Sequence, residues 1–543
     1  LQLLKLLVNK EKEVFTISQK GFKSFGFFIL EWGKEKMQML NNNKLFSVGE
    51  LFPPEKHYHR IKGYKMNKKI FKGHHHEVFE KSNVLPRQKD LLYISVNLAG
   101  IICKKSADFL FGEEVKVLAG KGEHTKEQEA FNRFIEENDL NILLYENALS
   151  NAYNGDSFIK VRYGQEYAGE LPPELDEPRV LIENVNPENV FPEVVAWDKS
   201  KIKAYHIALP LYDEENDKWF LAVESHYAGK IRYSKYFITP INYNMDNQPE
   251  RFTIDGVDEK SFIEVQTGVP MPLVVHIPNL STADTWEGID DLTELHPLLD
   301  EINNRLSQIA DILDKHSNPA MAVPSGLLSV DEDGNPQFRV AVDKVFEVMG
   351  KDDVIPQYIT WNGQLNEAFT ELDKLVDLVL TIAEIPAVAL GKGDSGTSGS
   401  SGLAIKWRMN SILAKINRKK QYYNKGLRNV FYLAQKLEEV LDISNYELTI
   451  PVLHFQDGLP KDEMEQANIM NIRTGGAKTL SQKSAVMMLN DFTEEQAEVE
   501  IQRIKDEEAE AMETASPSFF NDTTEEAESE AVAGLDIQEI GVE

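Results

Sequence analysis

With 543 residues the chain is too long for a single hydrophobic core, so roughly two to four structural regions are expected. Hydrophobic residues at 42% and charged residues at 27% exclude a chain disordered throughout, and the single cysteine, Cys103, excludes an internal disulfide and favours a reducing compartment. A formal charge of -30 disfavours tight nucleic-acid binding, which needs clustered Lys and Arg to displace counterions from phosphate.

The first eight residues, Leu1 to Val8, look like a short signal h-region. Asn9-Lys-Glu-Lys-Glu13 follows with no small-residue cleavage site, so no signal peptide is predicted. No run of apolar residues is long enough for a transmembrane helix. Residue 1 is Leu, and Met37 and Met39 open a more ordinary polar segment, so residues 1–36 are expected to be an upstream artefact or disordered. Residues 37–90 show no sustained period and read as short helices and loops. His57, His59 and His74 to His76 lie in this polar segment with no Cys or patterned carboxylate, so they read as solvated loop histidines rather than metal ligands.

Asp90 to Phe111 is a predicted helix, with Ile94, Leu98, Ile101, Ile102 and Leu110 on its apolar face and Gly112 as its stop. Cys103 within it reads as a small buried hydrophobe. A second helix starts from Thr125 as N-cap, with Gln128 at the capping-box position. Strands are predicted at 158–163, 179–182, 204–208, 219–223 and 231–237, within an antiparallel β region spanning roughly 155–278.

Two long amphipathic helices follow. Leu292, Leu295, Leu299, Ile302, Leu306, Ile309 and Leu313 recur at steps of three and four, as do Leu365, Phe369, Leu372, Val376, Val379 and Ala383. Pro297 is tolerated only in a first turn, which places the first helix at about 296–316, about 30 Å long. The second is expected over 363–385, closed by Pro386. Outside their seams both are acidic, through Asp300, Glu301, Asp311 and Asp314 on the first and Glu367, Glu371, Asp373, Asp377 and Glu384 on the second. Eleven residues apart, Asp300 and Asp311 project within about 20° of one another and share a face. Between the helices, residues 320–360 read as strands and turns, with a hairpin signal at Asp331-Glu-Asp-Gly334.

After the second helix comes the loop Gly391-Lys-Gly-Asp-Ser-Gly-Thr-Ser-Gly-Ser-Ser-Gly402. It contains neither a phosphate-binding Gly-x-x-x-x-Gly-Lys-Ser/Thr nor a Gly-x-Ser-x-Gly nucleophile elbow, so its composition describes a flexible connection, with Lys392 as its one cation. A helix of nearly forty residues then runs from Ile405 to Leu441, with a polar face that is basic from Lys415 to Arg428. Glu447 to Phe455 reads as a strand and residues 460–505 as two or three short helices. From Asp506 to Glu543 there are thirteen Asp or Glu and no Lys or Arg, an expected disordered tail.

The succession resembles the portal proteins of tailed bacteriophages, particularly those infecting Gram-positive hosts, over roughly residues 45–505. The resemblance is carried by Gly155-Asp-Ser-Phe-Ile-Lys-Val161, Asn186-Pro-Glu-Asn-Val-Phe-Pro192, Trp286-Glu-Gly-Ile-Asp-Asp-Leu292 and Ser398-Gly-Ser-Ser-Gly-Leu-Ala404, in that order. It implies an α+β portal fold: a wing over 37–285 (helical, then an antiparallel β region) and a lead-in with a first stem helix over 286–316. A small α/β or β clip over 317–360 and a second stem helix over 361–386 come next. A tunnel loop over 387–402, a long wing helix and strand over 403–458, a crown over 459–505 and the acidic tail complete it. The implied function is a non-enzymatic ring of about twelve copies at a capsid vertex of the virion, assembled in the host cytoplasm, through which double-stranded DNA is packaged and ejected. Its partners would be the terminase large subunit, a head–tail adaptor, and the major capsid and scaffold proteins, with no membrane, metal or cofactor. Lys392, Asp394, Ser395, Thr397 and Ser398 would face DNA in the loop, and Asp300, Glu301, Asp311, Asp314, Glu367 and Glu371 would line the channel. Two readings compete with it: a Mg-dependent phage nuclease using Asp290, Asp291 and Glu294, and an acidic scaffold that binds proteins only.

Overall fold

A short strand, β1 (Leu51–Phe52), and a 17-residue helix, α1 (Glu55–Phe71), are the first elements of the described chain. The helix corrects the expectation of short helices and loops. Its buried positions His57, Arg60, Ile61, Tyr64, Asn67 and Ile70 do follow helical spacing, but most are polar, so hydropathy shows no period. His57 and His75 are therefore buried rather than solvated, whereas His59, His74 and His76 are exposed. The computed structural model describes residues 45–79, 93–120, 125–167, 171–172, 174–243, 247–317, 321–322, 329–330, 336–337, 357–358, 365–392, 406–456, 458, 463–476, 478–490, 492 and 494–514. Residues 1–36, most of 317–360, the acidic segment after Thr514, and Asp394, Ser395, Thr397 and Ser398 lie outside the described residues.

A short α2 (His75–Phe79) precedes α3 (Leu98–Phe111), which starts eight residues later than predicted from Asp90. The Asn97 side chain accepts from Gly100 N at 2.8 Å and caps the helix there, leaving Ile94 in an extended segment. After β2 (Lys116–Leu118), α4 (Lys126–Glu137) is capped by Thr125 as expected. Gln128 does not complete a capping box, because its buried amide accepts from Ala119 N and donates to Val117 O. Next is α5 (Leu140–Asn154).

The β region is antiparallel throughout, in two sheets. The strands β3 (Asp156–Gly164), β4 (Arg179–Val185), β5 (Val190–Val195), β6 (Asp198–Asp213), β7 (Lys218–Tyr227), β8 (Lys230–Tyr243), β9 (Pro249–Gln266) and β10 (Val274–Pro278) pair in the orders β1-β9-β8-β7-β6-β5 and β10-β3-β4. β9 and β10 escape the sequence pattern: in β9 the inward Phe252 and Ile254 are followed by Asp255, Gly256 and Asp258, which break the apolar alternation, and β10 is short. Alternate residues of the larger sheet, Leu221, Val223, Ile238 and Ile254, pack on Phe46, Phe52 and Ile61.

Of the two amphipathic helices, α6 covers His296–Ser317. Between it and its partner, β11 (Met321–Ala322) pairs with β14 (Gln357–Tyr358), and β12 (Ser329–Val330) pairs with β13 (Pro336–Gln337), the hairpin that flanks Asp331 to Gly334. The partner, α7, runs over Leu365–Ile382. The long helix α8 (Asn410–Val440) crosses the smaller sheet at Gly426, where a Cβ would stand 2.5 Å from Ile277 Cγ1, so only glycine permits this approach. Its buried face joins α3, α5, the smaller sheet and the facing ends of α6 and α7 in one core. The predicted strand 447–455 contracts to β15 (Val452–His454), paired with β2, because Gln435 holds the preceding chain through Thr449 N and O at 2.9 and 2.8 Å.

Contacts divide the chain into two units, Leu1–Leu459 and Pro460–Glu543. In the second, α9 (Glu463–Thr474) and α10 (Gln482–Asn490) precede α11 (Glu494–Thr514), with Lys483 bonded to Glu494 at 2.6 Å and Glu498 at 2.5 Å. The helix continues through Thr514, past Asp506, where disorder was expected to begin; Ala497 and the Lys483 pairs hold its first turns against α10.

Candidate functional site at the root of the paired helices

The seams of α6 and α7 behave as their spacing predicts along only part of their length. Leu292, Leu295, Leu299, Ile302 and Ile309 are buried, as are Val379 and Ala383, but Leu313 and Phe369 at the far ends are 48% and 44% exposed. Arg305 reaches Glu371 while Leu295 and Ala383 line one cleft, so the two helices run antiparallel.

The acidic residues of the pair occupy unlike places. Glu301 and Glu371 are joined through Arg305, at 2.9 and 3.2 Å, in a bridge between the helices. Asp300 is half-buried, and burial followed by repulsion from Glu301 raises its pKa. Asp311 is partly exposed, and Asp314 and Glu367 are exposed. Lys392 is exposed at the start of the Gly/Ser loop.

At the root the chain makes a buried polar knot, and it does so with residues that the sequence places on a basic polar face. Lys415 and Lys419 are buried and close on Asp291 at 3.3 Å (Oδ1) and 2.6 Å (Oδ2). Ser106 of α3 donates to Asp291 Oδ2 at 3.1 Å and Asn279, after β10, donates to Oδ1 at 3.0 Å. Lys415 also donates to Ala383 O at 3.0 Å, a carbonyl freed where α7 ends. One carboxylate thus ties α3, β10, α7 and α8 to the lead-in of α6. Burial alone would push the Asp291 carboxyl up; the two ammonium groups more than reverse this and hold it well below the usual carboxylate range. With two cations on one anion the charge does not cancel, and burial pulls Lys419 down to about 8. Just outside, Arg418 grips both oxygens of Glu384 at 2.6 Å, holding a non-glycine residue at φ 60 where α7 terminates.

A second buried node assembles three of the four sequence motifs. Asp156 accepts from Tyr64 Oη, from Gly288 N at 2.8 Å and, at 2.6 Å, from His276 Nε2. Arg60 donates to Pro187 O at 3.2 Å and Val190 O at 2.8 Å, and lies over the Trp286 ring. Gly155 and Gly288 meet backbone to backbone: a Cβ on Gly288 would lie 1.9 Å from Gly155 O. Sequence reasoning picked out the motifs but not the partners Arg60, Tyr64 and His276, whose signal was only the helical spacing within α1 and a lone His in a strand.

His75 completes the frame. Its Nε2 donates to Ile70 O at 3.0 Å and its Nδ1 accepts from Asn303 Nδ2 at 2.9 Å, a neutral imidazole consistent with the lowering of its pKa by burial. Asn303 and Ser307 also accept from Val96 N and Ile94 N, docking the extended segment along α6.

No described residues form a group of three or more His, Cys, Asp or Glu able to hold a metal. Two of the three candidate nuclease carboxylates are otherwise engaged, Asp291 by two lysines and Asp290 by Leu292 N, Thr293 N and the Thr293 hydroxyl, while Glu294 is exposed.

A long helix spanning the core, with an antiparallel helix pair rooted on it through buried ion pairs, defines the architecture of the described chain. Residues 53–514 match the family described as phage portal protein, SPP1 Gp6-like, and the chain belongs to that family. It is a phage portal protein, with the α+β fold expected, in a family that is structural rather than enzymatic. No curated protein matches the chain. Among the described residues, no helix is long and apolar enough to cross a membrane.

Proposed function

We propose that copies of this chain close into a ring of about twelve at a capsid vertex, with α6 and α7 as the stem around a channel for duplex DNA. Family membership over residues 53–514 carries this reading. Supporting it, both helices place exposed carboxylates beyond the Glu301–Arg305–Glu371 bridge, at Asp314 and Glu367, in a chain of formal charge -30. A wall of like charge repels phosphate and avoids the wells that counterion release creates, so a duplex slides instead of binding. Residues 387–402 form the constriction that meets DNA, through Lys392 first. The clip over 317–360 docks the terminase during packaging and the adaptor afterwards; residues 37–285 face capsid and scaffold. ATP hydrolysis belongs to the motor.

Native mass measurement of the purified chain is the primary test. Rings are expected, and monomers under all conditions would overturn the reading. Deleting 391–402 is expected to leave rings intact and impair packaging; loss of rings would make the loop structural instead.

A further inference from the structure

Trp407 is 72% exposed, one helical turn before α8, and its neighbour Arg408 is exposed and forms no ion pair with a described residue. A large indole left in water is unfavourable unless something covers it, and Trp with Arg is the pair most enriched at the centres of protein interfaces. At the stem root there is a cleft of about 150 Å³ lined mostly by charged and polar groups, with three apolar side chains, Leu280, Ile289 and Ile382, standing out at 39%, 41% and 44% exposure. The same cleft carries Glu294, exposed and in no ion pair with a described residue.

Resting on the portal reading, we propose that Trp407 of one protomer seats against the Ile289–Ile382 rim of the next, with its Arg408 beside Glu294. Apolar side chains meet, and a cation meets a carboxylate, neither of which has an ion-pair partner among the described residues. The chain's own Trp407 does not fill this cleft. Lys415, Arg418 and Lys419, which line it, lie two to three turns further along the same helix, about 12–18 Å on. Filling it in cis would require unwinding the start of α8, whose Leu413 N is bonded to Met409 O at 3.1 Å.

Oxidation of the full-length double variant Trp407→Cys with Ile289→Cys tests this, since the native Cys103 is fully buried and stays out of the reaction. Cross-linked dimers and higher ladders are expected from the double variant and not from either single one. Trp407→Ala should weaken assembly by at least about tenfold in protomer concentration. If the wild type forms rings but the double variant gives no ladder, or only an intrachain bond, the interface is overturned and the portal reading stands. If the wild type forms no rings, it is the portal reading that fails.

Discussion

Replacing Asp291 by Asn keeps the shape of the side chain and removes the one carboxylate that, among the described residues, pairs with Lys415 and Lys419. Both lysines are buried, at 8% and 5% exposure, so neither ammonium can recover hydration without opening the packing around it. Removing one partner from a buried ion pair costs about 3–5 kcal/mol, because the survivors stay desolvated. That corresponds to roughly two to three and a half powers of ten in a local opening constant. Amide hydrogen exchange of the full-length chain reads it directly, in the first turns of α8 and around Asp291 and Leu292. The penalty should depend on pH with a definite sign. Lys419 already has a folded pKa below its unfolded value and loses its carboxylate partner, so the unfolded chain binds more protons between the two, and the variant gains stability as pH rises towards 10. In the parent, Asp291 has its pKa lowered on folding; its contribution is present above the normal carboxylate pKa and lost as pH falls through the folded value. Removing one cation as well, in Asp291→Asn with Lys419→Met, should restore at least half of the loss. Protection within a factor of five of the parent in Asp291→Asn would refute the view that this carboxylate ties the stem to the body.

Gly288→Ala forces a methyl group to 1.9 Å from Gly155 O, backbone on both sides, and is expected to cost more than about 4 kcal/mol or abolish soluble expression; a variant of parental thermal stability would show that the crossing can relax. For channel charge, Asp311→Lys with Asp314→Lys tests the lining better than a change at the half-buried Asp300, and should convert passage into retention, with a salt-dependent gain in duplex affinity; unchanged packaging and unchanged binding would count against a repulsive bore. Cys103 lies fully buried with its thiol pushed up by that burial, so it should resist alkylation in the native protein and react only after denaturation; rapid native labelling would place it at the surface.

Where spacing and burial agree, the sequence alone was sufficient. The two heptad-like helices, the Pro297 start, the Thr125 cap and the antiparallel β region were all legible, because apolar periodicity reports one buried face whatever lies opposite it. It failed where burial is polar. α1 hides behind His57, Arg60 and Asn67; Lys415 and Lys419 read as part of a basic polar face, with no sign of their burial; and the start of α3 depended on Asn97 turning back on its own helix. Only tertiary structure could decide these, because a charged or amide group enters a core when a partner from a distant stretch of chain meets it. Asp291 lies 128 residues from Lys419 and Asp156 lies 120 from His276, and nothing local in either pair of segments records that they will meet.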